Sequence, residues 1–395
     1  MPRDFMLEQL KEGFSEFGRL FREDAEIVPA FSPETEEEFS YPPEVREEES
    51  LLATAEGKTW VASAEPVEGL KGLIRDISSF DGGCTAKYFV DGSVRSVRTC
   101  DGITGSDVFP IVVAQVGAAS IGRRNSCPYI QEIKTDVMVL LPMSLLPDTT
   151  RSKLSSKVKK IKLEDTLDQG DSERDYTNLR SRATRRARLV MAKIEGDIVK
   201  KCIDDCPENE YIILDGSLFG LIKEAQLKNL SRVIGVSKSF SMRPLLLAQE
   251  MVNTRQLVQK ITQMGEGQRT FAFELHIDND WVVTWYQRIR PRDRVDAPLD
   301  GIVKVEVRPE NYECRESPKD KRKADPKWSS FFDQIAQCVH EERFPVPYHE
   351  ERWHTLLYPI YCCEQALKST FLSVEVLRGL SQHFHSVGGT RNGYR

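Results

Sequence analysis

The chain is short of most features that announce a function at a glance. No window approaches the roughly 18 consecutive apolar residues that a bilayer-spanning helix requires. The start, Met1-Pro2-Arg3-Asp4, lacks the charged-then-apolar order of a secretory leader. Histidine is scarce, with six residues, and the nine cysteines are odd in number and scattered from Cys84 to Cys363. Only Cys202 and Cys206 come near ligand spacing, and no second Cys/His pair completes a zinc site. The thiols therefore read as reduced and structural, and the chain as cytoplasmic with no membrane segment. An excess of one charge is lacking too: 55 basic and 61 acidic residues leave a net charge of −6, which argues against nonspecific coating of nucleic acid. There is no internal repeat beyond one paired tripeptide, and no low-complexity tract outside one acidic stretch.

What is present begins with a length of 395 residues, suited to one large or two smaller domains, and 40% apolar residues, enough for a substantial core. The near-neutral charge hides segregation. Residues 33–50 carry eight glutamates against the single Arg46, whereas 151–162 are basic and 180–188 hold five arginines. Local basic patches on an acidic protein can guide a phosphate backbone into a site. Each run taken alone reads as a solvated helix face.

Residues 5–22 place Phe5, Met6, Leu10, Phe14, Phe17 and Phe21 at helical spacing, an amphipathic helix whose apolar face must be covered by this chain or by a partner. We take residues 1–80 as this helix plus the acidic arm, with Phe14 and Phe17 expected on a partner or a second protomer. From Lys87 the pattern turns to strands. Residues 86–98 read as a strand, a tight turn and the beginning of the next strand. Residues 108–123 and 133–142 supply two more strands of an antiparallel meander. After a polar segment, 150–177, come a long helix over 178–204, a strand over 210–215, a helix near 219–230 and a strand over 233–237. Strands over 270–276, 281–288 and 302–308, a loop over 310–327 and helices near 328–341 and 354–379 complete the domain 81–380, and 381–395 form a basic tail. Three meander strands followed by helix, strand, helix, strand predict an α/β protein with a mixed sheet. This is also the element order of the ribonuclease-H-like fold, here with an N-terminal helical arm and added α+β elements.

Two apolar strands end alike, in Val90-Asp91-Gly92-Ser93 and Leu214-Asp215-Gly216-Ser217. In each case Gly-Ser reads as the turn that ends the strand. Two aspartates at neighbouring strand ends would repel unless a proton or cation sat between them. A divalent metal site explains the pairing most simply. On the intervening helix, Val190, Met191, Ile194, Ile198 and Cys202 mark the inward face. Glu195 borders that face, whereas Asp197, flanked by Lys193 and Lys201, reads as exposed. Hard oxygen ligands of this kind select Mg2+ or Mn2+, and a pair of such ions promotes in-line phosphoryl displacement. Lys238, directly after an apolar strand, can place its ammonium beside the phosphate. Trp281, Trp285 and Tyr286 are available for stacking on the bases of a single strand, with at least two of them expected in the core instead.

Phe89-Val90-Asp91-Gly92-Ser93, Ile213-Leu214-Asp215-Gly216-Ser217-Leu218, Ile234-Gly235-Val236-Ser237-Lys238 and Tyr358-Pro359 resemble, in order and spacing, the motifs of the NurA nucleases. The resemblance covers residues 85–378. It implies a ribonuclease-H-like core, two Mn2+ or Mg2+ ions, DNA as substrate, a homodimer, and a HerA-type hexameric ATPase as partner in end resection or phage defence. By position it implies Asp91, Glu195 and Asp215 as metal-binding carboxylates and Lys238 as the motif lysine. The family's helix after Tyr-Pro usually brings a histidine or an acid. Here that stretch has no histidine, so either Glu364 replaces the usual ligand or the second metal is weakly held. Arg180, Arg182, Arg185, Arg186 and Arg188 lead into the helix of Glu195 and become candidates for contacting the DNA backbone. The competing function class is a nuclease-like scaffold subunit that has lost catalysis, and a third reading is an enzyme acting on RNA.

Overall fold

The computed structural model describes residues 3–30, 62–68, 73–77, 85–125, 127–168, 173–223, 225–240, 254–277, 280–314, 326–348, 350 and 353–385. The acidic stretch 33–50, most of the expected loop 310–327 and the tail beyond residue 385 lie outside them.

The meander is there, and its strands are longer than the sequence pattern indicates: β4 (Thr85–Thr104), β5 (Asp107–Arg124) and β6 (Cys127–Leu141). Val112, Val113, Ala114, Val116, Ala118 and Ala119 of β5 are fully buried, the near-continuous apolar run expected of a strand covered on both faces. The hairpins turn at Gly105 and Asn125, both at positive φ. The other free edge of β4 takes β8 (Glu210–Asp215) in parallel, and β8 takes β9 (Val233–Ser237) in parallel. The order β9-β8-β4-β5-β6, with these directions, is the mixed sheet and ribonuclease-H-like core that the element order predicts.

The same sheet continues past β9 through antiparallel β13 (Ile302–Val307), β12 (Asp280–Arg288), β11 (Phe273–Ile277) and β2 (Ala62–Pro66). Three short strands, β1 (Glu26–Pro29), β3 (Ile74–Asp76) and β10 (Gln268–Thr270), pair beside this path. At the far end β7 (Lys162–Asp165) pairs with β6. Within the polar segment 150–177, β7 and the helix α2 (Asp148–Lys157) form elements that polarity alone concealed.

Helices cover both faces. α3 (Tyr176–Asp205) lies across the meander, with Ala183, Ala187 and Val190 packed on Val112, Ala114, Val116 and Met138. On the opposite face, α6 (Pro326–Glu341) and α7 (Tyr358–Thr370) bury Phe332, Ile335, Ile360 and Cys363 against Phe89, Ile213, Val236 and Trp285. The single helix expected over 354–379 is broken: α7 stops at Thr370, and α8 (Val374–Ser381) restarts with the Ser373 side chain capping Val376 N. The helix near 219–230 shrinks to α4 (Leu218–Lys223). α5 (Thr254–Thr262) lies ahead of β10.

The N-terminal helix α1 (Arg3–Phe21) departs most from expectation. Phe14 and Phe17, expected on a partner, are 0% exposed. Their rings pack on Phe384 at 5.1 and 5.0 Å, Phe21 meets Phe109, and Leu377 and Leu380 close the cluster. An apolar helix face gains most from the nearest apolar surface, and the last turns of this chain supply it. Phe384, placed by the sequence pattern in the basic tail, therefore belongs to the core. Among the described residues no helix is long and apolar enough to cross a membrane.

Candidate active site

The twin motifs look alike in sequence and differ in structure. β8 stops at Asp215, and Gly216 turns at φ 123°. Its Ser217 hydroxyl and Leu218 N–H both donate to Glu306 at 2.8 Å. That carboxylate holds the first N–H of α4, where a negative charge is favoured, and is itself paired with buried Lys304 at 2.6 Å. β4 does not stop at Asp91. It runs on to Thr104, so Gly92-Ser93 is no turn. The strand continues because β5 pairs with it without interruption from Tyr88 through Arg98.

The two aspartates are nonetheless neighbours. The last parallel pair is Val90↔Leu214, which brings Asp91 and Asp215 next in register. By the two-residue period of a strand, Asp91 shares the face of Phe89, and Asp215 that of Ile213; both are on the side of α7. Beyond this pair β8 ends, and β1 joins the same edge of β4 only at Cys100. Among the described residues, the edge of β4 from Asp91 to Arg98 therefore has no strand beside it, and the aspartates stand at the head of that gap.

Glu195 arrives from the other face. It is 8% exposed on α3, and a Cβ added to Gly92 would overlap its carboxylate. Gly92 is thus a passage: lacking a side chain, it lets an acid on the opposite helix reach the line of Asp91. Asp197, two residues on, is exposed and 3.6 Å from Lys134, as its lysine neighbours predict. From α7, Cys363 donates its S–H to Phe89 O at 3.1 Å and pins the helix beside Asp91, with Glu364 next in sequence. Glu364 also pairs with Lys368 at 2.7 Å. After β9, Lys238 extends its ammonium to Asp215 at 2.5 Å, with both side chains nearly buried.

The electrostatics join these five residues. Burial pushes the Asp91 carboxyl well above its ordinary range, and the charges of Asp215, Glu364 and Glu195 add to the push while Lys238 opposes it. For Lys238, burial pulls downward, but Asp215, Asp91 and Glu364 outweigh it and hold the ammonium charged. Burial, with Asp91 behind it, also raises the Cys363 thiol, so this cysteine is no nucleophile. Four carboxylates meet the Lys238 ammonium here, and the Lys368 ammonium pairs with one of them, Glu364, so two negative charges remain over these six groups when all are ionised. The oxygen-only donor set suits Mg2+ or Mn2+. Among the described residues, however, no three His, Cys, Asp or Glu side chains stand at metal-holding separations. The ammonium of Lys238 occupies the Asp215 oxygen that a metal would share.

The arginines of α3 do not form one face. At 100° per residue their positions spread around the helix, about 10 to 22 Å along it from Glu195. Arg186 is spoken for by Glu164 at 2.7 Å, Arg185 is exposed, and Arg180, Arg182 and Arg188 are half-buried. Trp285 and Tyr286 are fully buried core residues, and Trp281 stacks on Tyr312. Sequence reasoning passed over Arg288, Arg290, Arg292 and Arg294, whose alternation along and just beyond β12 was a readable signal. Two of them, Arg288 and Arg290, are buried and pushed down to about 10 by burial and by neighbouring arginines.

No protein-family model matches this chain, and no curated protein matches it. Among solved structures, the crystal structure of the NurA nuclease from Sulfolobus solfataricus is similar to it with a TM-score of 0.44 and 11% sequence identity, over 79% of this chain and 88% of that one.

Proposed function

We propose that the chain is a divalent-metal-dependent nuclease that hydrolyses phosphodiester bonds in DNA. One observation carries this reading: Asp91, Asp215, Glu195 and Glu364, from four different elements, converge with Lys238 at the open edge of the sheet, with a surplus of negative charge. These four carboxylates would hold Mn2+ or Mg2+ on drawing closer together than they stand here. Ions bound there supply Lewis acidity to the phosphoryl oxygens and lower the pKa of an attacking water. The chain's own residues do the rest. The β4–β8 ladder fixes the two aspartates, Gly92 admits Glu195, and Lys238 offers its ammonium to the charge that grows on the phosphate oxygens. Working as a homodimer with a HerA-type ATPase, in resection or phage defence, is the expectation that the motif order adds.

Cleavage of end-labelled DNA and RNA oligonucleotides with and without Mn2+ tests the reading. Asp91→Asn and Asp215→Asn should each abolish Mn2+-dependent cleavage of DNA, and wild-type activity in either variant overturns it. A second reading, a scaffold subunit without catalysis, is favoured by the Lys238–Asp215 pair, which already neutralises one aspartate. Calorimetric titration with Mn2+ separates the two, because a scaffold shows no saturable binding.

A further inference from the structure

Another cluster of charge lies at the N-terminal end of α7, away from the four carboxylates. Arg290 is 1% exposed, yet among the described residues no carboxylate pairs with it. Its Nη2 donates to Leu356 O at 3.0 Å, while Nε and Nη1 have no hydrogen-bond partner among the described residues. A buried guanidinium with two idle N–H groups is costly unless an anion completes it. Its guanidinium lies 5.7 Å from the centre of the Phe344 ring, and Arg343 lies on that ring at 4.4 Å. Phe344 and Tyr348 are 56% and 60% exposed, unusual for large aromatic side chains, and Tyr348 packs against Trp353 at 4.9 Å. Glu266 accepts from Arg343 Nε at 3.1 Å. His340 adds no charge: burial, with Arg343 and Arg290 behind it, pushes it down to about 4. Phe344 and Tyr358 also line a depression of about 260 Å³, together with Phe89 and Arg123. Phe89 is two residues from Asp91 on the same face of β4. From Tyr358 to Glu364 is six residues of helix, about 9 Å.

We propose that Arg290, Arg343, Phe344 and Tyr348 form a subsite for single-stranded nucleic acid, in which the arginines take a phosphate and the exposed rings stack bases of the strand that leads to the carboxylates. Idle guanidinium donors beside exposed aromatic faces are what a flexible polyanion carrying flat bases needs, and stacking of this kind tolerates any sequence. The paired bases of a duplex cannot offer their faces to the rings. The subsite rests on the nuclease reading for its direction toward the carboxylates, and its test is independent of cleavage.

Fluorescence anisotropy of a labelled 20-residue oligothymidylate, measured in EDTA so that no metal chemistry contributes, reads binding alone. Phe344→Ala and Tyr348→Ala should each weaken binding about tenfold. Arg343→Ala should also lower the slope of log affinity against log salt by about one. Phe344 and Tyr348 lie at the surface and Arg343 is half-buried, and a thermal melt confirms the fold of each variant. Arg290→Lys, which keeps the charge and loses the fork, should weaken binding as well. A duplex of equal length should compete poorly. Wild-type affinity in the Phe344, Tyr348 and Arg343 variants overturns the subsite, as does a duplex that competes equally, and a rescue of binding by a protein partner alone would assign the surface to that partner instead. Binding that depends on these residues in a protein that never cleaves DNA with Mn2+ would leave the subsite standing and sink the nuclease reading.

Discussion

The two glycines of the twin motifs should fail in different ways when given a methyl group. At Gly92 the backbone is ordinary extended strand, but an added Cβ would lie 2.7 Å from Glu195 Cδ and closer still to its Oε1. At Gly216 there is nothing within 4 Å of an added Cβ, but φ is 123°, a conformation that L side chains rarely adopt. Gly92→Ala therefore has one consequence that matters, the displacement of the Glu195 carboxylate by roughly 1 Å. Overpacking costs about 1–3 kcal/mol, and about 0.5–1 kcal/mol returns because alanine suits a strand better than glycine and restricts the unfolded chain. The fold should survive with a net loss of about 2 kcal/mol or less. A catalytic group misplaced by about 1 Å commonly costs about 100-fold in rate. Gly216→Ala instead forces strain of about 1–3 kcal/mol into the turn that positions Asp215.

The assay is Mn2+-dependent cleavage of an end-labelled oligonucleotide, with thermal unfolding run on the same preparations. Gly92→Ala should lose activity far out of proportion to its stability. Shortening the acid in the double variant Gly92→Ala/Glu195→Asp should recover space and therefore part of the manganese affinity, a coupling that a double-mutant cycle measures. If Gly92→Ala cleaves at the wild-type rate with its fold intact, Glu195 does not act through this passage, and the assignment of that acid to the site is wrong.

Three further outcomes follow from the packing and the charges. Phe17→Ala should cost about 3–5 kcal/mol of stability without altering the oligomeric state in size-exclusion chromatography; dissociation of a complex would show that the helix serves a partner after all. In the buried Arg269–Glu68–Asp333 network, burial pushes Glu68 up, but the Arg269 guanidinium outweighs it and holds the carboxyl below its ordinary value. A depressed carboxyl stabilises the fold above about pH 4.5 and loses that contribution as the pH falls through its folded value, so melting temperature should drop below about pH 4.5. Glu68→Gln should destabilise by about 3–5 kcal/mol at pH 7 and flatten that acid limb, and an unchanged pH profile would contradict the network's role. Lys238→Met should tighten Mn2+ binding at least tenfold, about 1.4 kcal/mol, because it removes a cation from the shared oxygen; equal affinity by calorimetry would refute direct competition.

Much of the core was legible because periodicity reports burial directly. The β8 and β9 strands and the long helix α3 lie within two residues of their expected bounds, since each carries a continuous apolar pattern. Asp91 and Asp215 as neighbours were legible from repetition, and Glu195 from its place beside the inward stripe of α3. What escaped has a common cause. Gly-Ser after Asp91 has the composition of a turn, and only the partner strand β5, eighteen residues long, overrides it. The same glycine serves sterics at one site and torsion at the other, and sequence composition does not separate these uses. The cover for Phe14 and Phe17 lay at Phe384, some 370 residues away in the chain, beyond the reach of any local pattern. The basic run of α3 attracted notice through density, whereas Arg290, one arginine among alternating neighbours, draws its chemical interest from two buried N–H groups that find no acceptor among the described residues, a property of the fold alone.

Lys238 brings the opposing readings of the site onto one atom pair. Its ammonium could be a permanent counterion, in which case the acids form a buried structural cluster. The arithmetic of the site works against that. Asp91, Asp215, Glu195 and Glu364 bring four carboxylates to two ammoniums, those of Lys238 and Lys368. Structural clusters in this same molecule are balanced: Glu68 and Asp333 close on Arg269 and Arg75, and Lys304 closes on Glu306. On the proposed nuclease reading these acids take up further positive charge, and their place at the head of a strand edge that is unpaired among the described residues would give that charge, and a phosphate with it, a way in.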